Sequence, residues 1–252
     1  KMLTSKSKKM GKISFRPEPE NGFYLTLKAR VQEHFRSNGI SRYANKTAIF
    51  KMLLFTALFG GTYGAILFLP MSAPLFLFCW FAFGIFLMLS AMSIVHDAAH
   101  SAISRKRWVN ELLLRYANLV GADGYMYKYK HTVSHHPYTN IHGVDIDLEQ
   151  SGIVRVTPFT RNTRKHRYQF NYMKLLYPFY VLFWVLVRDF RYYNRKEIGL
   201  SEAHHAPVHW ITLIGGKIFY FCYMLGVPAI LLPVPFWLIL CGFFLMQIGA
   251  GI

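Results

Sequence analysis

Two stretches of this chain carry no charged side chain, and they decide what it can fold into. From Met52 to Val95 there is no Asp, Glu, Lys or Arg, and from Ile218 to Ile252 there is none either. A helix needs about 20 apolar residues to cross a bilayer, so each run has room for roughly two crossings. The first run is broken at Leu69-Pro70-Met71-Ser72-Ala73-Pro74, the second at Pro228 and at Pro233-Val234-Pro235. Proline stops helices and small residues suit turns. The pattern predicts spans over roughly 49–70, 74–95, 213–232 and 236 to the end. The expected fold class is all-α: an integral, multi-pass membrane protein of two transmembrane helical hairpins.

The rest of the chain is basic, with a net charge of +17. All 29 Lys and Arg fall in 1–51, 101–170 and 171–217, and neither hairpin tip has one. The positive-inside rule then puts both tips outside and the segment between the hairpins in the cytoplasm. The expected division is a basic N-terminal segment over 1–48, a hairpin over 49–95, a cytosolic part over 96–212, and a second, incomplete hairpin over 213–252. The chain opens on Lys1 and stops inside an apolar run, so it is expected to be a piece of a longer protein. Basic residues that border membrane spans do not suit nucleic acid. Cys79, Cys222 and Cys241 all lie in the apolar parts and read as small hydrophobes, not as a disulfide framework.

Shorter features fill in the outline. The start is polar, with Lys6, Lys8, Lys9 and Lys12. Asn21 is placed to cap an amphipathic helix carrying Leu27, Val31 and Phe35 at helical spacing. With Lys28, Arg30 and Arg36, that helix suits either an anionic membrane surface or the cytosolic body. Leu175–Val187, bounded by Lys174 and Arg188, is too short for a comfortable span. An interfacial helix near 174–190 is expected there. Lys217, near the start of the third span, is placed to snorkel.

Chemistry is concentrated in two histidine clusters. His96 and His100 are one helical turn apart, and so are His131 and His135, with His136 following. Residues four apart share a helix face, and neutral imidazoles from one face are what a metal needs. Pro137 disfavours helical geometry at His136, which lies about 100° round from His135 and is free to serve a neighbouring metal. Five imidazoles suggest two metals, and such ligation suits iron, copper, nickel or zinc better than magnesium or calcium. His204, His205 and His209 form a reversed pattern in a polar linker and are expected outside the site. His34, His142 and His166 read as isolated.

His96-Asp97-Ala98-Ala99-His100 resembles the first histidine box of the membrane fatty acid desaturases, and His131-Thr132-Val133-Ser134-His135-His136 resembles their second. Lys130, Tyr138-Thr139-Asn140 and Gly143-Val144-Asp145-Ile146-Asp147-Leu148-Glu149 match the surroundings of the second box in the linoleoyl-CoA-type and front-end branch. Phe23-Tyr24-Leu25-Thr26-Leu27-Lys28 resembles the same branch. The resemblance implies a cytosolic helical cap holding two iron ions. It also implies O2 as co-substrate and a cis double bond placed in a long acyl-CoA or acyl-lipid chain. His96, His100, His131, His135 and His136 would be ligands, with Asp97, Asn140, Asp145 and Asp147 as candidates to orient them. The family's third box, HxxHH or QxxHH, falls outside the sequence, so the chain alone is expected to be inactive. No HPGG haem signature appears, so electrons are expected from a separate ferredoxin or b-type cytochrome with its reductase. Arg105, Lys106, Lys128 and Lys130 are candidates for a surface facing that donor or a substrate headgroup. A hydroxylase or ketolase of the same superfamily, and a non-catalytic zinc-binding membrane protein, are the alternatives.

Overall fold

The computed structural model describes residues 13–17, 19, 22–148 and 153–252. The chain divides into two units at Tyr43 and Ala44. Among the described residues the first holds one helix, α1 (Phe23–Ser37), in which no residue is buried. Gly22 occupies its N-cap position without a side-chain bond; Asn21, the expected cap, lies outside the described residues, as does Glu149.

In the second unit, apolar helices surround a central one. Helix α2 (Lys46–Phe68) is capped by Asn45, whose Oδ1 accepts the Ala48 amide at 2.8 Å. After a turn at Pro70, α3 (Ala73–Ala99) starts with Pro74 in its first turn, where a missing N–H costs nothing. It packs on α2 and on the last helix, α8 (Phe236–Gly251), and buries Phe76, Trp80, Phe83 and Leu87. Between α3 and α8 the backbones nearly touch. A Cβ on Gly84 would meet the Met246 carbonyl, and one on Gly249 the Phe81 carbonyl. Only glycine permits that approach, which membrane helices use in place of a hydrophobic driving force.

The segment between the hairpins folds as α4 (Arg107–Leu114), a 3₁₀ turn over Arg115–Val120, and α5 (Gly124–Lys130). Then come α6 (Arg164–Tyr193), a short antiparallel pair β1 (Glu197–Ile198) and β2 (Ser201–Glu202), and α7 (Pro207–Leu231). Four helices, α2, α3, α6 and α7, are long and apolar enough to cross a membrane by length and composition, and α8 is a shorter apolar helix. The hairpins over α2–α3 and α7–α8 lie where the uncharged runs put them.

Two expectations change. The helix expected near 174–190 runs for 30 residues, from Arg164 to Tyr193, so shortness no longer argues against a crossing. Its charged ends hid the length, because counting uncharged residues stops at the first Lys or Arg. Lys217 does not snorkel. It is 7% exposed, its Nζ lies 2.7 Å from Asp189 Oδ2, and it also donates to the Gly121 carbonyl. Asp189 in turn accepts from Trp184 Nε1 at 2.7 Å and from the Asp123 amide at 3.1 Å. This buried network ties α5, α6 and α7 together.

Candidate metal centre

Helix α3 carries the first cluster at its end. Ala98 and Ala99 are buried in the core, and their small size lets the end of α3 pack closely, while His96 is half-buried and His100 exposed. His100 is the C-cap, and Ser101, at φ +54°, turns the chain away.

The second cluster depends on an unusual backbone. Asp123 caps α5 by accepting the Met126 amide at 2.7 Å, and the helix passes at Lys130 into a π-helical turn over His131–His135. In an α-helix, residue i+5 sits about 140° round from residue i. With i→i+5 bonding and about 4.4 residues per turn, that angle shrinks to about 50°. His136 therefore comes back beside His131, with their Nε2 atoms 3.0 Å apart. This wider turn, and not the 100° step of an α-helix, sets the direction of His136 relative to His131.

All five rings meet. His100 Nε2 lies 3.2 Å from His131 Nε2, and His96, His100 and His131 each offer a ring nitrogen within 4.8 Å of the others. Ring centroids are 4.9 Å apart for His96 and His100, 4.6 Å for His100 and His136, and 5.3 Å for His135 and His136. Two nitrogens bound at right angles to one metal at about 2.1 Å would be about 3.0 Å apart, so these spacings suit ligands of a shared ion. Burial, reinforced by His136, His100 and His96, lowers the His131 pKa to about 4, and burial also lowers that of His100. At neutral pH both rings keep free lone pairs.

Carboxylates orient the rings. His96 Nδ1 is 3.0 Å from Asp97 Oδ1, half-exposed, whereas His135 Nδ1 is 3.0 and 3.2 Å from the two oxygens of Asp145, which is buried. Asp145 is itself fixed by the amides of Asn140 at 2.8 Å and Asp147 at 3.0 Å. Asn140 serves through its backbone, held at φ +64°, a conformation asparagine tolerates. Ser134 closes the loop by donating to the Val144 carbonyl and accepting the Ile146 amide.

Sequence reasoning missed the next layer. Lys130 is 3% exposed and bonded to Asp147 at 3.0 Å, so it leaves the surface proposed for a donor or headgroup. Its partner is 17 residues away, and nothing in the local pattern announces the pair. Arg188 of α6 reaches the same Asp147 oxygen at 3.0 Å. Burial raises the Asp147 carboxyl, but Lys130 and Arg188 outweigh it and hold the group below its ordinary value. Lys128 pairs with Glu111 at 2.6 Å, while Arg105 and Lys106 are exposed. Behind His131 stands an aromatic column: Tyr127 stacks on its ring at 5.2 Å, and Trp184 on Tyr127 at 6.2 Å. That column walls an apolar cavity lined also by Met88, Val95, Val181 and Val185. The cavity holds about 50 Å³, far below the roughly 300–1,000 Å³ of a ligand site.

The other histidines stand apart. His205 Nδ1 is 3.0 Å from the Tyr125 hydroxyl, and His209 stacks on Tyr125 at 3.6 Å. No hydrogen bond or ring contact among the described residues joins His204, His205 or His209 to the five. His142 lies tilted against Phe159, ring centroids 5.3 Å apart, and His166 caps the turn at Thr163.

The fatty acid desaturase profile matches residues 72–251. Similar proteins include an sn-1 linoleoyl-lipid 6-desaturase of Synechocystis sp., 28% identical over 84% of this chain and 59% of that protein. An acyl-lipid (8-3)-desaturase of Physcomitrium patens is 28% identical over 88% of this chain and 47% of its own. A probable Delta(5) fatty acid desaturase C of Dictyostelium discoideum is 30% identical over 90% of this chain and 51% of its own. The chain thus spans about half the length of the curated relatives it matches. No solved structure matches it.

Proposed function

The chain belongs to the fatty acid desaturase family, and from that premise we propose that it desaturates a lipid-linked acyl chain, with His96, His100, His131, His135 and His136 as ligands of two iron ions. The observation that carries the proposal is the convergence of these five rings from two separate elements. An all-imidazole donor set at these nitrogen spacings fits iron. When bound, the iron pair supplies what an unactivated methylene demands: O2, two electrons and two protons turn –CH2–CH2– into –CH=CH– and two waters.

The protein's own residues hold and shield the site. Asp145 accepts the Nδ1–H of His135 and Asp97 that of His96, which leaves each Nε2 for the centre. Tyr127 separates His131 from the apolar wall of Met88, Val95 and Val181, where a hydrocarbon chain would approach without water. The small cavity there has to widen for substrate to enter. The acyl-lipid names of the relatives favour a lipid-linked substrate over acyl-CoA. Electrons would come from a ferredoxin or from a b-type cytochrome with its reductase, meeting the exposed Arg105 and Lys106.

The whole protein, expressed in a host lacking the activity, is expected to add one cis double bond to membrane acyl chains on lipid analysis. A hydroxylated chain would move it to the hydroxylases, and bound zinc with no oxidised lipid would make it a metal-binding membrane protein.

The charge bias also supports a cytoplasmic histidine cluster and an interfacial position for α6. Arg164, Lys165 and Arg167 begin that helix, Arg188 and Arg191 lie in its last turns and Arg195 follows it, so both ends favour one side. Cysteines at Arg167 and Lys196, both exposed, are expected to react with a membrane-impermeant thiol reagent from the cytoplasmic side alone. Labelling of the two from opposite sides would make α6 a crossing helix.

A further inference from the structure

The geometry points to Arg188 as a positioning residue for the second histidine box, acting on His135 through Asp147; the inference rests on the metal reading of the cluster. Arg188 lies in a second π-helical turn, Trp184–Arg188, within α6. Its guanidinium is clamped by its own helix. Nε donates to the Tyr192 hydroxyl at 2.9 Å, Nη1 donates to the Tyr180 hydroxyl, and the group lies 5.0 Å from the centre of the Trp184 ring. With its side chain 12% exposed and held on three sides, the remaining donor, Nη2, points at Asp147 Oδ1. Little rotamer entropy is left to lose, so the pair is stronger than an exposed ion pair of the same length.

Asp147 matters because of what lies on its other side. Its Oδ2 is 3.6 Å from His135 Nδ1, the atom that Asp145 already holds at 3.0 Å. Two carboxylates beside one ring nitrogen repel each other. Lys130 and Arg188 supply two cations against those two anions. They draw Asp147 off the ring, and Asp145 alone sets its tautomer and direction. Without Arg188, one cation faces two anions. Asp147 then turns toward Nδ1, competes with Asp145, and rotates Nε2 away from the centre. An oxygen of Asp147 also lies within 4.8 Å of ring nitrogens of His131 and His135, close enough to be a ligand itself. Its two cationic partners argue against that role.

The test is Co²⁺ titration of the purified whole protein, followed by visible absorption of the bound ion, with thermal unfolding measured in parallel. Arg188→Gln is expected to weaken Co²⁺ binding about tenfold, with Arg188→Lys recovering most of the loss. In an Asp147→Asn background, Arg188→Gln should cost less than about twofold, because its route to His135 is already cut. Should Arg188→Gln fail to fold, Arg188→Lys carries the same cycle, with a roughly threefold loss that vanishes beside Asp147→Asn. Unchanged affinity in the single variants, or a cost that persists in full beside Asp147→Asn, overturns the inference. A wild-type protein that binds no Co²⁺ or Fe²⁺ overturns the metal reading beneath it.

Discussion

Replacing His131 by alanine is expected to abolish desaturation and to strip most of the metal from the purified whole protein. Of the five rings, His131 sits at the middle: its Nε2 is 3.0 Å from that of His136 and 3.2 Å from that of His100. It is also the most thoroughly desolvated, with its pKa pushed down to about 4 chiefly by burial. A group that orients a ligand is worth 10–100-fold in affinity or activity. Losing a ligand at the hub should exceed that, so product should fall by more than about 100-fold, and metal content by elemental analysis should fall with it. His204→Ala is the control. Its side chain is 88% exposed and unconnected to the cluster, so activity and metal content should stay within about twofold of wild type. Equal losses in the two variants would dismiss the five-histidine site.

The second large effect concerns stability. Lys217→Met is expected to cost about 3–5 kcal/mol, because it leaves Asp189 buried with its cation gone. Asp189 is 1% exposed and still bound to Trp184 Nε1 and the Asp123 amide, so it cannot turn to water. Removing both charges is a different matter. Replacing a whole buried pair with apolar groups of similar size is often neutral, so Lys217→Met with Asp189→Leu should recover much of the loss. Thermal unfolding in one detergent compares the three proteins. A double variant no better than the single would mean that the hydrogen bonds of Asp189 matter more than its charge.

What could be read from the sequence follows from the range of the interactions concerned. The uncharged runs set the α2–α3 and α7–α8 hairpins because span length is a local property. The boxes were legible because histidines four apart share a face wherever a helix forms. Lys217 and Lys130 were misjudged for a common reason. Lys217 was assigned from its place at the start of a span and Lys130 from a cytosolic run of basic residues, while the partner of each, Asp189 or Asp147, lies 28 or 17 residues away. The length of α6 was hidden by the Arg and Lys at its ends. Asp145 was found because it follows the second box closely; Arg188, 41 residues beyond Asp147, had no local signal.

The wide turn at His131–His135 changes what the motif means. In an ordinary helix a doublet at i+4 and i+5 is a contradiction, since only the first of the pair can look where residue i looks. One extra residue in the turn resolves it, leaving i+4 and i+5 to either side of i, about 35° and 50° away. The spelling HxxxHH is then less an inventory of three donors than a specification of helical pitch. Its final letter makes sense only on a backbone that has slipped by one hydrogen bond, and the Pro137 that follows stops the slip from spreading.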